Sequence, residues 1–114
     1  MRYEIPGEYK GWIVVQFENP ACPPLLNQGV FRVVSVPSSG WVCTSDHHPD
    51  RWTYYRFEYV ESNGTRKSLR WNDHGRPGTQ AWLIGYRVES KSDEIFVGDE
   101  DAMDHSGAPP SHPL

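Results

Sequence analysis

The sequence predicts an all-β domain, a small antiparallel β-sandwich of about seven strands, with a small barrel as the alternative. Three observations lead there. Short runs of apolar and β-branched residues recur at even spacing, and Gly, Pro and Asn clusters punctuate them. No long segment repeats its apolar residues with the helical period. Aromatic residues make up 13% of the chain although hydrophobic residues make up only 37%, so large rings can supply a core that aliphatic residues alone would not fill.

Taken in order, Met1–Lys10 reads as an irregular lead-in with a turn at Pro6-Gly7. Gly11–Glu18 is the first strand, with Ile13, Val15 and Phe17 on one face. Pro20, Pro23 and Pro24 then forbid regular ladder pairing. Gly29–Val36 is a second strand, rich in Val and Phe. Pro37-Ser38-Ser39-Gly40 has turn chemistry, and Trp41–Thr44 continues beyond it, so these two strands are expected to form a hairpin. After the polar loop Ser45–Arg51, Trp52–Val60 gives the strongest period-2 pattern, with Thr53, Tyr55, Phe57 and Tyr59 opposed to Trp52, Tyr54, Arg56, Glu58 and Val60. Asn63-Gly64 is a hairpin signal leading into a strand near Arg66–Trp71. The loop Asn72–Thr79 precedes strands at Ala81–Val88 and Glu94–Val97, joined by a turn at Glu89–Asp93. Asp99 is placed to N-cap one helical turn through Met103. The chain therefore divides into a single β domain, residues 1–105, and a Pro-rich tail, 106–114, expected to be disordered or merely draped on the domain.

At 114 residues the chain has room for one core, not two. Its net charge of −4 argues against a nucleic-acid partner, which selects a basic face. The nearest such cluster, Arg66, Lys67, Arg70 and Arg76, reads as a solvated hairpin. No apolar run approaches the ~20 residues that span a bilayer, and no signal peptide precedes Arg2-Tyr3-Glu4. Cys22 lies in a rigid Pro-rich stretch and Cys43 in a short strand. The two residue types alone fit either a bridge or a pair of reduced thiols.

The N-terminal half carries a pattern: Ile5-Pro6-x-x-Tyr9-x-Gly11-Trp12-Ile13-Val14-Val15, then Asn19-Pro20-x-Cys22-Pro23-Pro24-Leu25, then Gly29, Val33, the Pro37–Gly40 turn and Cys43-Thr44-Ser45. It resembles an uncharacterised bacterial family, a domain of unknown function found mostly in short exported or lipoprotein-like chains. The likeness extends over residues 4–60 and the Phe96-Val97-Gly98 ending, and is loose between Glu61 and Tyr86. The resemblance implies a small β-sandwich without assigned activity, so it transfers no catalytic residue. It also implies that Cys22 and Cys43 form a disulfide, and that Met1 stands where an export signal has been removed. The expected location is then periplasmic or lipoprotein-anchored, and cytoplasmic if Met1 is native.

Several constellations compete for function. Asp46-His47-His48-Pro49-Asp50 contains metal-ligand types, with Asp73 and His74 available from another loop. Adjacent residues of an extended segment project oppositely, however, and the spacing fits no zinc class. Ser45, Asp46 and His47 offer the residue types of a hydrolase without a meaningful spacing. The expectation is therefore no catalytic residue, no metal site and no cofactor. If Tyr55, Phe57 and Tyr59 form the core face, then Trp52 and Tyr54 lie outside beside Arg56, a combination suited to protein hot spots or sugar stacking. The Asn72–Thr79 loop, with Asp73, His74 and Arg76, is the second expected binding surface. The function expected from these features is a non-catalytic binding domain of the bacterial envelope whose partner is another protein. One version is an immunity-type domain whose acidity speeds capture of a basic partner. A carbohydrate-binding module is the alternative, and a metal-dependent hydrolase the second.

Overall fold

The computed structural model describes residues 1–50 and 53–110. Among these, nine strands, two more than the roughly seven expected, form two facing sheets, and one short helix follows them. The elements are β1 (Arg2–Pro6), β2 (Gly11–Gln16), β3 (Leu26–Gln28), β4 (Phe31–Ser35), β5 (Trp41–Cys43), β6 (Arg56–Val60), β7 (Arg66–Leu69), β8 (Gln80–Arg87), β9 (Ser92–Gly98) and α1 (Glu100–Asp104). One sheet has the order β3-β4-β1-β6-β7 and the other β5-β2-β9-β8. Neither closes on itself, so the architecture is a sandwich and not a barrel.

The core follows from alternation. Tyr3, Ile5, Val34, Val36, Phe57 and Tyr59 point inward from the five-stranded sheet, and Ile13, Val15, Ala81, Ile95 and Val97 meet them from the other. Burying each of the larger side chains contributes roughly 1.5–3 kcal/mol. Tyr3 stacks on Phe57 with ring centroids 4.9 Å apart. β6 covers only the Arg56–Val60 part of the strand expected from Trp52, but the face predicted for Tyr55, Phe57 and Tyr59 is the one that packs: Phe57 and Tyr59 are buried and Tyr55 lies against the core.

Four expectations need correction. The lead-in is not irregular. Residues 2–6 form β1, the middle strand of its sheet, and it runs parallel to both β4 and β6. Its inward Tyr3 and Ile5 are fully buried, and Pro6 sits at the strand end, where its missing N–H disturbs the ladder least. Second, the sheets are mixed and not antiparallel, because β2 also pairs with β5 in parallel. Third, the Pro37–Gly40 turn does not make a hairpin. It carries the chain from β4 in one sheet to β5 in the other. Gly40 there has φ +79°, and a β-carbon on it would overlap the Trp12 carbonyl and the Tyr9 hydroxyl. Fourth, the strand expected from Gly29 begins at Phe31. It is preceded by β3 and the two-residue turn Gly29-Val30, and this is where the hairpin lies.

Three other expectations hold: the Asn63-Gly64 hairpin, the Asp99 cap and the Cys22–Cys43 disulfide. The Asn63-Gly64 hairpin joins β6 and β7, with the Glu61 amide donating to the Thr65 carbonyl at 2.9 Å. Asp99 caps α1 by accepting from the Ala102 amide at 2.7 Å. Cys22 and Cys43 form a disulfide with Cα atoms 5.8 Å apart. It ties the Pro-rich segment after β2 to β5. Cross-linking a loop of this size contributes roughly 3 kcal/mol in the chain-entropy account. Within the tail, residues 108–110 line a crevice on the outer face of β2 and β9 together with Val14, Ser92 and Glu94, and residues 111–114 lie outside the described residues.

Candidate functional site

The strand register decides which aromatic rings reach solvent. In β6 the inward positions are Phe57 and Tyr59, so Arg56 and Glu58 point to the outer face of the five-stranded sheet. Arg2 of β1 pairs in register with Arg56. Phe31, at the start of β4, is flanked by both: the guanidinium of Arg56 lies 5.4 Å from its ring centroid and that of Arg2 5.7 Å, each a cation–π contact. Tyr54 tilts against the same ring at 6.4 Å and is 68% exposed. Beside them the β3–β4 hairpin leaves Leu26 and Val30 exposed. A depression of 510 Å³ is walled by Val30, Phe31, Arg32, Thr53 and Tyr54. Tyr54 and Arg56 are thus brought together as expected. Trp52, expected in the same group, lies outside the described residues. Phe31, Arg2 and Val30 were missed, because only the pairing of β1 and β4 places them here.

The outer face also holds a charge network. Glu4 accepts from Arg66 at 2.7 Å and pairs with Arg2 at 3.1 Å, while Glu58 pairs with Arg66 at 3.1 Å. These pairs fix the Arg2 side chain beneath Phe31 and leave Arg56 as the guanidinium that faces outward.

Asp73, His74 and Arg76 lie in the β7–β8 loop, and their contacts are with the other sheet and α1. The Asp73 amide donates to Gln80 Oε1 at 2.8 Å, and Gln80 Nε2 returns a bond to the Asp73 carbonyl at 3.0 Å. His74 Nδ1 lies 2.7 Å from Glu100, whose other oxygen accepts from the Gly75 amide at 2.7 Å. Those bonds hold the Glu100 carboxyl below its ordinary range. Arg76 pairs with Asp73 at 3.7 Å. Polar contacts with β8 and α1 therefore hold the loop. Asp73, His74 and Arg76 are engaged in these contacts and in their own ion pair, and do not join the Tyr54 face.

The two adjacent histidines diverge, as extended backbone requires. His47 is turned to solvent and lies 3.5 Å from Glu18. His48 turns inward, packs edge-on against Phe17 and lies 4.2 Å from the Tyr86 ring centroid. Its Nε2 is 2.7 Å from Asp93 Oδ1. Asp93 shares the inward face of β9 with Ile95 and Val97, is 4% exposed, and its Oδ2 has no partner among the described residues. Burial raises its pKa, against the opposing pull of the His48 bond. The Tyr3 hydroxyl, also buried without a partner, is pushed well above its ordinary value, first by burial and then by the Asp93 charge. Burial followed by Asp93 likewise raises Tyr55 to about 12. This buried polar group between the sheets was not found from sequence. The partners are 45 residues apart, and the one available signal was the parity that aligns Asp93 with Ile95.

No helix among the described residues is long and apolar enough to cross a membrane. No curated protein matches the chain. Among solved structures the fold is similar to that of a "putative lipoprotein from Bacillus anthracis", at a TM-score of 0.61 and 22% identity, covering 99% of this chain and 80% of that one. At that identity the likeness speaks for the sandwich alone. The sequence matches a family model over residues 1–106, which include all the strands described and α1, and the chain belongs to that family, the family of unknown function DUF6843.

Proposed function

We propose that this chain is a non-catalytic binding domain of an exported bacterial protein, and that it contacts a protein partner through the Phe31–Tyr54–Arg56 face. The observation that carries the reading is Tyr54, a ring 68% exposed on a surface already ordered by two guanidinium groups and flanked by apolar Val30 and Leu26. Aromatic and arginine side chains on a rigid sheet are the residue types that dominate protein interfaces. The disulfide suits an oxidising compartment, and the solved neighbour named as a lipoprotein agrees with export. Although the chain as a whole is acidic, this face is cationic and aromatic. The reading therefore favours a partner surface that is acidic or apolar over the basic one an immunity-type domain would seek.

A photocrosslinking side chain at position 54, expressed in the native host, tests the idea. The same side chain at Val88, exposed in the β8–β9 turn, serves as the control. One reproducible protein adduct at position 54, absent at position 88 and lost with Arg56→Glu, is the expected result. No adduct at position 54, or quenching of fluorescence by glycans that depends on Tyr54, would overturn it.

A further inference from the structure

On the opposite edge of the five-stranded sheet from the Tyr54 face, β7 ends the sheet and pairs only with β6. There a groove of 720 Å³ opens between β7 and the loop that leads into β8. Its lining includes Lys10 from the β1–β2 turn, Lys67 and Arg70 from β7 and its end, and a single carboxylate, Glu8.

The state of these cations sets them apart. Arg2, Arg32, Arg66, Arg76, Arg87 and Lys91 each lie within ion-pair distance of a carboxylate, and Arg56 rests over Phe31. Lys10, Lys67 and Arg70 make no side-chain hydrogen bond or ion pair among the described residues. In a chain of net charge −4, the described cations that make no such contact therefore gather in one groove. The far wall is rigid, since Gln80 holds the loop through its two bonds to Asp73, and the Ala81 amide donates to the Arg70 carbonyl at 2.9 Å.

We propose that this groove binds an extended acidic peptide segment, which adds as a strand to the free edge of β7 and, according to its register, places its carboxylates against Lys67 on one face of the strand or Arg70 on the other. A sheet edge offers backbone donors and acceptors to an incoming strand. The four residues of β7 span roughly 13 Å at about 3.3 Å each, enough to pair with a segment of equal length. The unpaired cations then select the acidic sequence, and charge complementarity makes the interaction sensitive to salt. This site is independent of the Tyr54 face, so either can fail without the other.

The test is an amide chemical-shift titration of the whole chain with three probes: an alternating Val-Glu hexapeptide, its Val-Gln counterpart, and an oligogalacturonate as an anionic sugar polymer. Val-Glu should shift the amides of residues 66–70 and 79–80, with affinity falling about tenfold between low and moderately high salt. The Lys67→Glu/Arg70→Glu double variant should lose at least as much, its fold being checked by the unchanged dispersion of the remaining amides. The salt series on the wild-type chain keeps the test decisive should that variant unfold. Equal response to Val-Gln would overturn the charge selection. An equal or stronger response to oligogalacturonate would overturn the peptide assignment, and no shift in β7 with any probe would overturn the site.

Discussion

Two histidine–carboxylate pairs in this molecule have the same separation, 2.7 Å, and opposite electrostatics. His48–Asp93 sits between the sheets, where the Asp93 side chain is 5% exposed. His74–Glu100 joins a loop to α1 at the surface, where the His74 side chain is 69% exposed. Burial raises the Asp93 pKa despite the bond to His48, whereas Glu100, solvated and bonded to both Gly75 and His74, is lowered. An identical contact therefore reports a desolvated charge in one place and a well-solvated one in the other. Distance alone does not rank the two pairs; the medium around the carboxylate does.

The largest effect that follows is on His48. His48→Ala removes the one partner of Asp93 Oδ1 and leaves a carboxylate on the core face of β9. The expected loss is about 2 kcal/mol of unfolding free energy by denaturant titration. It is capped because Asp93, its pKa already raised, can take up a proton instead of remaining charged. The double variant His48→Phe/Asp93→Val should regain most of this, since apolar groups of fitting volume can replace a buried pair. A double variant as unstable as the single one would show that the pair shapes the loop by more than its charge.

The second effect is a difference in sign with pH. Asp93 has an ordinary value of 3.8 that folding raises. Its contribution to stability is fully present below the unfolded value and is lost as pH rises through the folded one. Glu100, lowered from 4.5, does the reverse: its contribution is present above the unfolded value and is lost as pH falls through the folded one. Thermal melts across the acid range should therefore show Asp93→Asn gaining stability with pH more steeply than the parent chain, and Glu100→Gln less steeply. Slopes that change in the same direction would break the comparison.

Much of the fold was legible because it is written locally. The Tyr55/Phe57/Tyr59 parity, the Asn63-Gly64 turn and the Asp99 cap each depend on neighbours within a few residues, and each was read correctly. What failed was nonlocal. In β1 the alternation of Tyr3 and Ile5 with Arg2 and Glu4 covers only five residues. Its partners β4 and β6 are parallel, so no hairpin turn beside it marks them. Likewise the Pro37–Gly40 segment has turn chemistry whether the chain doubles back or crosses to the other sheet, and residue types do not distinguish the two. The candidate face follows the same rule. Tyr54 and Arg56 were readable from the parity of one strand, but Phe31 and Arg2 join them only through strands paired across the sheet. The Cys22–Cys43 pairing came from resemblance alone.

The smallest expected effect completes the contrast. His74→Ala deletes a contact of the same length as the His48 bond, yet it leaves no buried charge, because Glu100 keeps its bond from the Gly75 amide and its access to water. The denaturation midpoint should not move measurably, as is usual for exposed ion pairs. The change belongs in local order instead: with one of two anchors gone, the Gly75 amide should exchange with solvent faster, while amides of β9 stay unchanged. If His74→Ala destabilised the fold as much as His48→Ala, the medium would not be what separates the pairs. The β7–β8 loop would then be part of the cooperative core, which its solvated contacts with α1 argue against.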